Sequence, residues 1–264
     1  MSTIYFLLGF LYSLTVIGQE KAVLPDTSQY KFIRQRIKDE DFFIQLDKND
    51  KDALFRRAEL KFKIEDWNGA IHDYKELIRL DSNNYYPYYM IGCCYERTGE
   101  YHIGIQFMSK SIAKHPKNEW AYNDRGLLYL RTNKNDLAIQ DFNTALQLKP
   151  EWSVALFGLG NAFDKVNKIS ESIIFYQRAI KADSTNYKAL NNLGFIYFEQ
   201  NKLQAAIEYF SLAINIKPNY VKALTNRADA YLKLRELNLA CKDIEQAIIY
   251  GRSDLLETKQ KICK

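Results

Sequence analysis

The chain has 264 residues, 47% of them apolar, with only 5 Pro and 11 Gly, which describes a compact helical protein with little room for a catalytic domain beside its main array. Its formal net charge is +5. Lys and Arg alternate with Asp and Glu throughout, so the basic stripe that a nucleic-acid binder presents is missing. Residues 1–18, MSTIYFLLGFLYSLTVIG, carry no charged side chain and hold an apolar run from Ile4 to Ile17. That run is short for a membrane span and suits a signal-peptide core. Val16 and Gly18 stand at the minus-three and minus-one positions of a cut before Gln19. No Lys or Arg precedes the run, so an uncleaved anchor stays open as the alternative. The chain has no N-x-S/T sequon, which favours a bacterial envelope protein over a eukaryotic secreted glycoprotein. The expected location is periplasmic or secreted. Residues 19–50 read as a linker to about Gln29 and then a leading helix, on the stripe Ile33, Ile37, Phe43 and Ile44.

From Lys51 to Asp254 one 34-residue pattern recurs six times without insertion or deletion: 51–84, 85–118, 119–152, 153–186, 187–220 and 221–254. Position 8 is always small (Ala58, Gly92, Gly126, Gly160, Gly194, Ala228), and position 20 is Ala70, Gly104, Ala138, Ser172, Ala206 and Ala240. Position 27 gives Leu77, Ser111, Ala145, Ala179, Ala213 and Ala247. Rings or long side chains recur at position 11 (Lys61, Tyr95, Tyr129, Phe163, Tyr197, Tyr231) and at position 24 (Tyr74, Met108, Phe142, Tyr176, Phe210, Ile244). Pro116, Pro150 and Pro218 end the second helix at position 32. This pattern resembles the tetratricopeptide repeat, a helix-turn-helix unit of this length. The resemblance implies an all-α, right-handed α-solenoid, because one such unit cannot bury its apolar face without neighbours. Lys61, Leu77 and Arg252 depart from the pattern in the first and last repeats, as terminal repeats do. Residues 255–264 are expected to form a helix that caps the last repeat.

In this family ligands mostly meet the first helix of each repeat at positions 2, 5, 9, 12 and 13, lining a concave groove. The resemblance therefore points to a protein or peptide partner bound by Phe55, Phe62, Tyr86, Tyr89, Trp120, Phe157, Phe195 and Phe198, with Asn161, Asn192 and Lys222 as polar contacts. Rings of this size give rigid contact area at low entropic cost. Tyr89, Trp120 and Phe157 are the expected anchors. Related co-chaperones clamp a terminal carboxylate; Asn161, Asn192 and Lys222 match that set, but Phe157 and Asn226 stand where its other cations should be. His72, His102 and His115 fall at unrelated repeat positions with no metal-ligand spacing, and no phosphate-binding loop is present. No enzyme activity, cofactor, metal, nucleic acid or small-molecule substrate is expected, and membrane contact only if the N-terminal segment is uncleaved. Four Cys fit an exported chain. Cys94 is expected in inter-repeat packing, and Cys241, which faces the missing seventh unit, is expected to pair with Cys263 on the closing helix.

Overall fold

A computed structural model describes residues 28–263. The expected leader and most of the expected linker lie outside the described residues. What is described is helical: α1 (Ser28–Leu46), then the repeat pairs α2 (Lys51–Lys63) and α3 (Trp67–Leu80), α4 (Tyr85–Thr98) and α5 (Tyr101–Lys114), α6 (Glu119–Arg131) and α7 (Asn135–Leu148). Three further pairs follow: α8 (Ser153–Lys165) and α9 (Ile169–Ala182), α10 (Tyr187–Glu199) and α11 (Leu203–Ile216), α12 (Val221–Lys233) and α13 (Leu237–Ile249). A 3-10 turn, Ser253–Leu255, leads into α14 (Leu256–Ile262). The chain divides into two compact units. The first comprises residues 28–150 with Asn161–Val166, and the second Glu151–Gly160 with residues 167–263, so that α8 contributes to both.

Each repeat is built from local signals. Asp50, Asp66, Asn84, Asn118 and Asn186 cap helix N-termini by accepting backbone N–H bonds. Between paired helices, position 15 is left-handed in all six repeats: Glu65, Gly99, Asn133, Asn167, Asn201 and Arg235 have φ between 57° and 83°. The following N–H then reaches back to the carbonyl at position 11, as from Asp66 to Lys61 (3.0 Å) and from Lys134 to Tyr129 (2.8 Å). Gly and Asn tolerate that conformation, which explains four of the six residue choices.

Close helix packing explains position 8. A Cβ on Gly126 would lie 2.9 Å from the Phe142 ring, and one on Gly194 2.9 Å from Phe210. In the first unit Leu54, Ala58, Ala70, Ile71, Tyr74, Leu77, Met90, Ile91 and Cys94 form a continuous buried cluster. In the second, Leu224, Ala228, Ile244 and Ala247 close around Leu255, which the 3-10 turn inserts at 2% exposure. The closing element thus begins with a turn that delivers one leucine, and only then becomes a helix.

Positions 7 and 23 alternate between two solutions. Repeats 1, 3 and 6 hold an ion pair: Arg57–Asp73, Arg125–Asp141 and Arg227–Asp243, each with N–O distances of 2.7–2.9 Å. The others carry apolar or aromatic residues at the same two positions: Ile91 and Phe107, Leu159 and Phe175, Leu193 and Tyr209. In each ion-pair repeat the guanidinium also reaches position 25 of the preceding element: Asp41 (2.7 Å), Ser109 (2.9 Å) and Ser211 (2.8 Å). Lys61 departs from the ring pattern for a physical reason. Its ammonium is 2.8 Å from Asp73, and with Arg57 it holds that buried carboxyl below the usual range against the opposing effect of burial.

Asp41 also fixes what α1 is. Counted back by 34 residues it occupies position 25, and α1 ends at position 30, where α3, α5 and α7 also end. α1 therefore stands against α2 as the second helix of a preceding repeat would. Ile33, Ile37 and Ile44 are half-buried, whereas Phe43, expected in the same stripe, points outward at 46% exposure. The helical period places Phe43 about 100° from Ile44, off the packed face.

Candidate functional site

The first helices present the expected ligand positions on one face within each unit. In the first unit α2, α4 and α6 bring Phe55, Phe62, Tyr86, Tyr89 and Trp120 to that face. Phe55 (39% exposed) leans on Tyr86 with ring centroids 5.6 Å apart, and Trp120 is 45% exposed, with the Lys149 ammonium 5.5 Å from its ring. Phe62 instead packs edge-on against Trp67 at 5.0 Å and borders the core cluster.

The tyrosines serve the wall. Glu59 Oε1 accepts from Tyr74 Oη (2.5 Å) and Tyr86 Oη (3.1 Å), tying α2 to α3 and α4. Tyr89 Oη donates to Asp124 Oδ2 at 2.7 Å, and Asn123 Nδ2 donates to Asp124 Oδ1 at 2.9 Å. Burial pushes the Tyr89 phenol and the Asp124 carboxyl up, and pushes the neighbouring Cys93 thiol up as well, so that thiol is a poor nucleophile. Glu96 is raised by burial and by Asp124, while Arg97 and Arg131 oppose the shift. Tyr89, expected as an anchor, is thus tied to the next repeat.

In the second unit Phe195 is 41% exposed and stacks with Phe198 at 6.1 Å, and Lys233 Nζ lies 3.7 Å from the centre of the Phe198 ring. Phe157 is half-buried against Tyr176, 5.9 Å between centroids, and so belongs more to the wall than to the open surface. Below them runs an amide chain: Asn226 Nδ2 donates to Asn191 Oδ1 (3.0 Å), Asn191 Nδ2 to Asn192 Oδ1 (3.2 Å), and Asn192 Nδ2 to Tyr176 Oη (3.2 Å). Asn192, a residue of the carboxylate-clamp match, thereby uses both amide atoms on the wall. Lys222 is exposed in this unit, and Asn161 is half-buried in the first.

Asp229, at position 9 of the last repeat, has its carboxyl pushed up from 3.8 to about 7 by burial, with Lys233 and Arg252 pulling the other way. Its folded-state value lies above the unfolded one, so the folded chain holds the extra proton between about pH 4 and pH 7. Stability therefore falls as pH rises through that window. Asp229→Asn is expected to match the wild type near pH 4 and to exceed it by about 4 kcal/mol at pH 8, the linkage that follows from a rise from 3.8 to about 7. Urea unfolding at the two pH values checks this; an equal difference at both would show that Asp229 does not titrate there.

Cys241 and Cys263 are bonded to each other, with Cα atoms 5.6 Å apart, and Cys93 and Cys94 are free. Among the described residues no group of three or more His, Cys, Asp or Glu side chains could hold a metal, and no helix is long and apolar enough to cross a membrane.

Family profiles described as tetratricopeptide repeat match residues 52–84, 85–113, 107–140, 154–186, 187–220 and 221–248. No curated protein matches the chain in sequence. Among solved structures it is similar to MamA 41-end from Desulfovibrio magneticus RS-1 (22% identity, TM-score 0.58, covering 65% of this chain and 97% of that one). It is also similar to YrrB, described as a TPR protein with an unusual peptide-binding site (19%, TM-score 0.52, 71% and 97%). Pseudomonas aeruginosa PilF aligns at 14% identity with TM-score 0.67, over 86% of this chain and 99% of that one.

Proposed function

The chain belongs to the tetratricopeptide-repeat family, whose members bind peptides or proteins, and we propose that its first-helix faces hold an extended or helical segment of a partner protein in envelope, secretion or assembly work. One observation carries this reading. Among the described Phe and Trp side chains within the six repeats, three remain exposed, and all three sit at ligand positions of first helices: Phe55 at position 5, Trp120 at 2 and Phe195 at 9. A ring left open on an otherwise packed wall marks an interaction surface. Tyr86, Tyr89, Phe157 and Asn192 support that surface from below, and no catalysis is assigned to it.

The reading is tested by selecting displayed peptides on the wild-type protein and measuring the best binder against alanine variants. Truncating a buried aromatic anchor typically costs about 2 kcal/mol or more, so Trp120→Ala and Phe55→Ala are each expected to weaken a peptide held by the first unit about thirtyfold. Phe195→Ala has the same effect on one held by the second. Tyr89→Ala should instead lower the thermal midpoint. Binding unchanged in all three exposed-ring variants ends the reading.

We infer export from the apolar run Ile4–Ile17 and the Val16 and Gly18 pair, and the Cys241–Cys263 bond supports an oxidising compartment. Sequencing the mature N-terminus is expected to give Gln19; Met1 retained in the membrane fraction would select the anchored alternative instead.

A further inference from the structure

The outer face of α1 carries the densest group of open rings among the described residues. Phe32 is 62% exposed, Phe42 57%, Phe43 46% and Leu46 71%, while the opposite face, Ile33, Ile37, Glu40 and Ile44, packs toward α2. Four large apolar side chains on one exposed helix face mark a contact surface. α1 holds the place of a second helix; Phe43 stands at position 27, which such a helix turns to its own first helix, while Phe42 and Leu46 stand at positions 26 and 30, which are buried in no repeat. The sequence does not build that arrangement. Positions 14 to 16, where every repeat turns, fall on Tyr30, Lys31 and Phe32, inside α1. Position 27, small in five repeats so that helices can approach, is Phe43.

We propose that this face binds a second copy of itself, α1 against α1 antiparallel across a two-fold axis near Asp39. The pattern is self-complementary about that point. Phe32 comes opposite Leu46 of the other copy, since they lie seven residues on either side of Asp39, and Phe43 comes opposite the turn holding Gln35 and Arg36. Arg36 and Asp39 are both exposed, and neither has an ion-pair partner among the described residues; Asp39 accepts only from Gln35 Nε2 (3.1 Å). Antiparallel pairing puts each Arg36 within one helical turn of the other Asp39, giving two reciprocal ion pairs that also offset the approach of the two carboxylates. A 19-residue helix is about 28 Å long, so the contact stays below about 1,200 Å² and the dimer is weak and concentration-dependent.

Sedimentation velocity of the purified chain from about 5 to about 500 μM tests this, because contacts of that size associate in the micromolar range. The wild type is expected to pass from monomer to dimer across that range. Phe43→Glu and Leu46→Glu, both at exposed positions, should keep helicity and weaken association at least about tenfold. Arg36→Asp should weaken it, and Arg36→Asp with Asp39→Arg should restore it, because the swap regenerates both pairs with reversed sign. A wild type that stays monomeric overturns the proposal. Hydroxyl-radical labelling then says why: shielded rings assign the face to residues ahead of α1, and freely labelled rings leave it to a different protein. A dimer that survives Phe43→Glu, or a double swap no better than the single change, overturns it as well.

Discussion

Replacing Asp141 with alanine is expected to destabilise the first unit by about 3–5 kcal/mol, the usual consequence of stranding one member of a buried ion pair. The Arg125 side chain is only 17% exposed and donates from Nε (2.7 Å) and Nη2 (2.8 Å) to Asp141. Without the carboxylate, Ser109 is its one remaining hydrogen-bond partner. The protein itself contains the rescue. Repeat 2 solves the same two positions with Ile91 and Phe107, and Phe107 stacks on Tyr95 at position 11 with centroids 5.7 Å apart. Tyr129 occupies position 11 in repeat 3, where the Arg125 guanidinium now lies 5.7 Å from its ring. Arg125→Ile combined with Asp141→Phe should therefore regain most of the loss, because the new ring finds Tyr129 as Phe107 finds Tyr95. Ser109 stays satisfied through its 2.8 Å bond to the Ile105 carbonyl. Urea midpoints of the wild type, the single variant and the double variant decide this. A double variant no more stable than Asp141→Ala would show that positions 7 and 23 are not interchangeable pairs.

Reducing the Cys241–Cys263 bond, or replacing Cys263 with serine, is expected to destabilise the second unit by about 3 kcal/mol. The bond closes a loop with a sequence separation of 22, and the unfolded chain regains that freedom when it is opened. The effect should be local, because α14 has seven residues, none of them buried, and a helix so short does not persist unsupported. Its loss loosens Leu255 from the cluster with Leu224, Ala228, Ile244 and Ala247. Hydrogen exchange is the measurement of choice. Protection should fall in residues 237–263 on reduction while the first unit is unchanged, as nearest-neighbour coupling in a repeat array requires. Equal protection with and without reductant would mean that the bond does not hold the end closed.

The helix pairs, their turns and their close-packed positions could be read from the chain alone, because each depends on contacts within about one repeat: a small residue at position 8 under a ring at position 24, a cap ahead of each first turn. The left-handed position 15 was also available in Gly99, Asn133, Asn167 and Asn201, and so was the coordinated exchange of Arg and Asp at positions 7 and 23. Those signals become meaningful once the side chains they join are known to touch. The ligand face divided differently. Sequence placed Tyr89, Trp120 and Phe157 on equal footing, yet Tyr89 meets Asp124, 35 residues onward, and turns into the wall, while Trp120, with the Lys149 ammonium beside its ring, stays 45% exposed. Whether a ring at such a position faces water depends on what the neighbouring helix offers its polar atom. Periodicity fixes which residues share a face; only packing in three dimensions fixes which of them stay exposed.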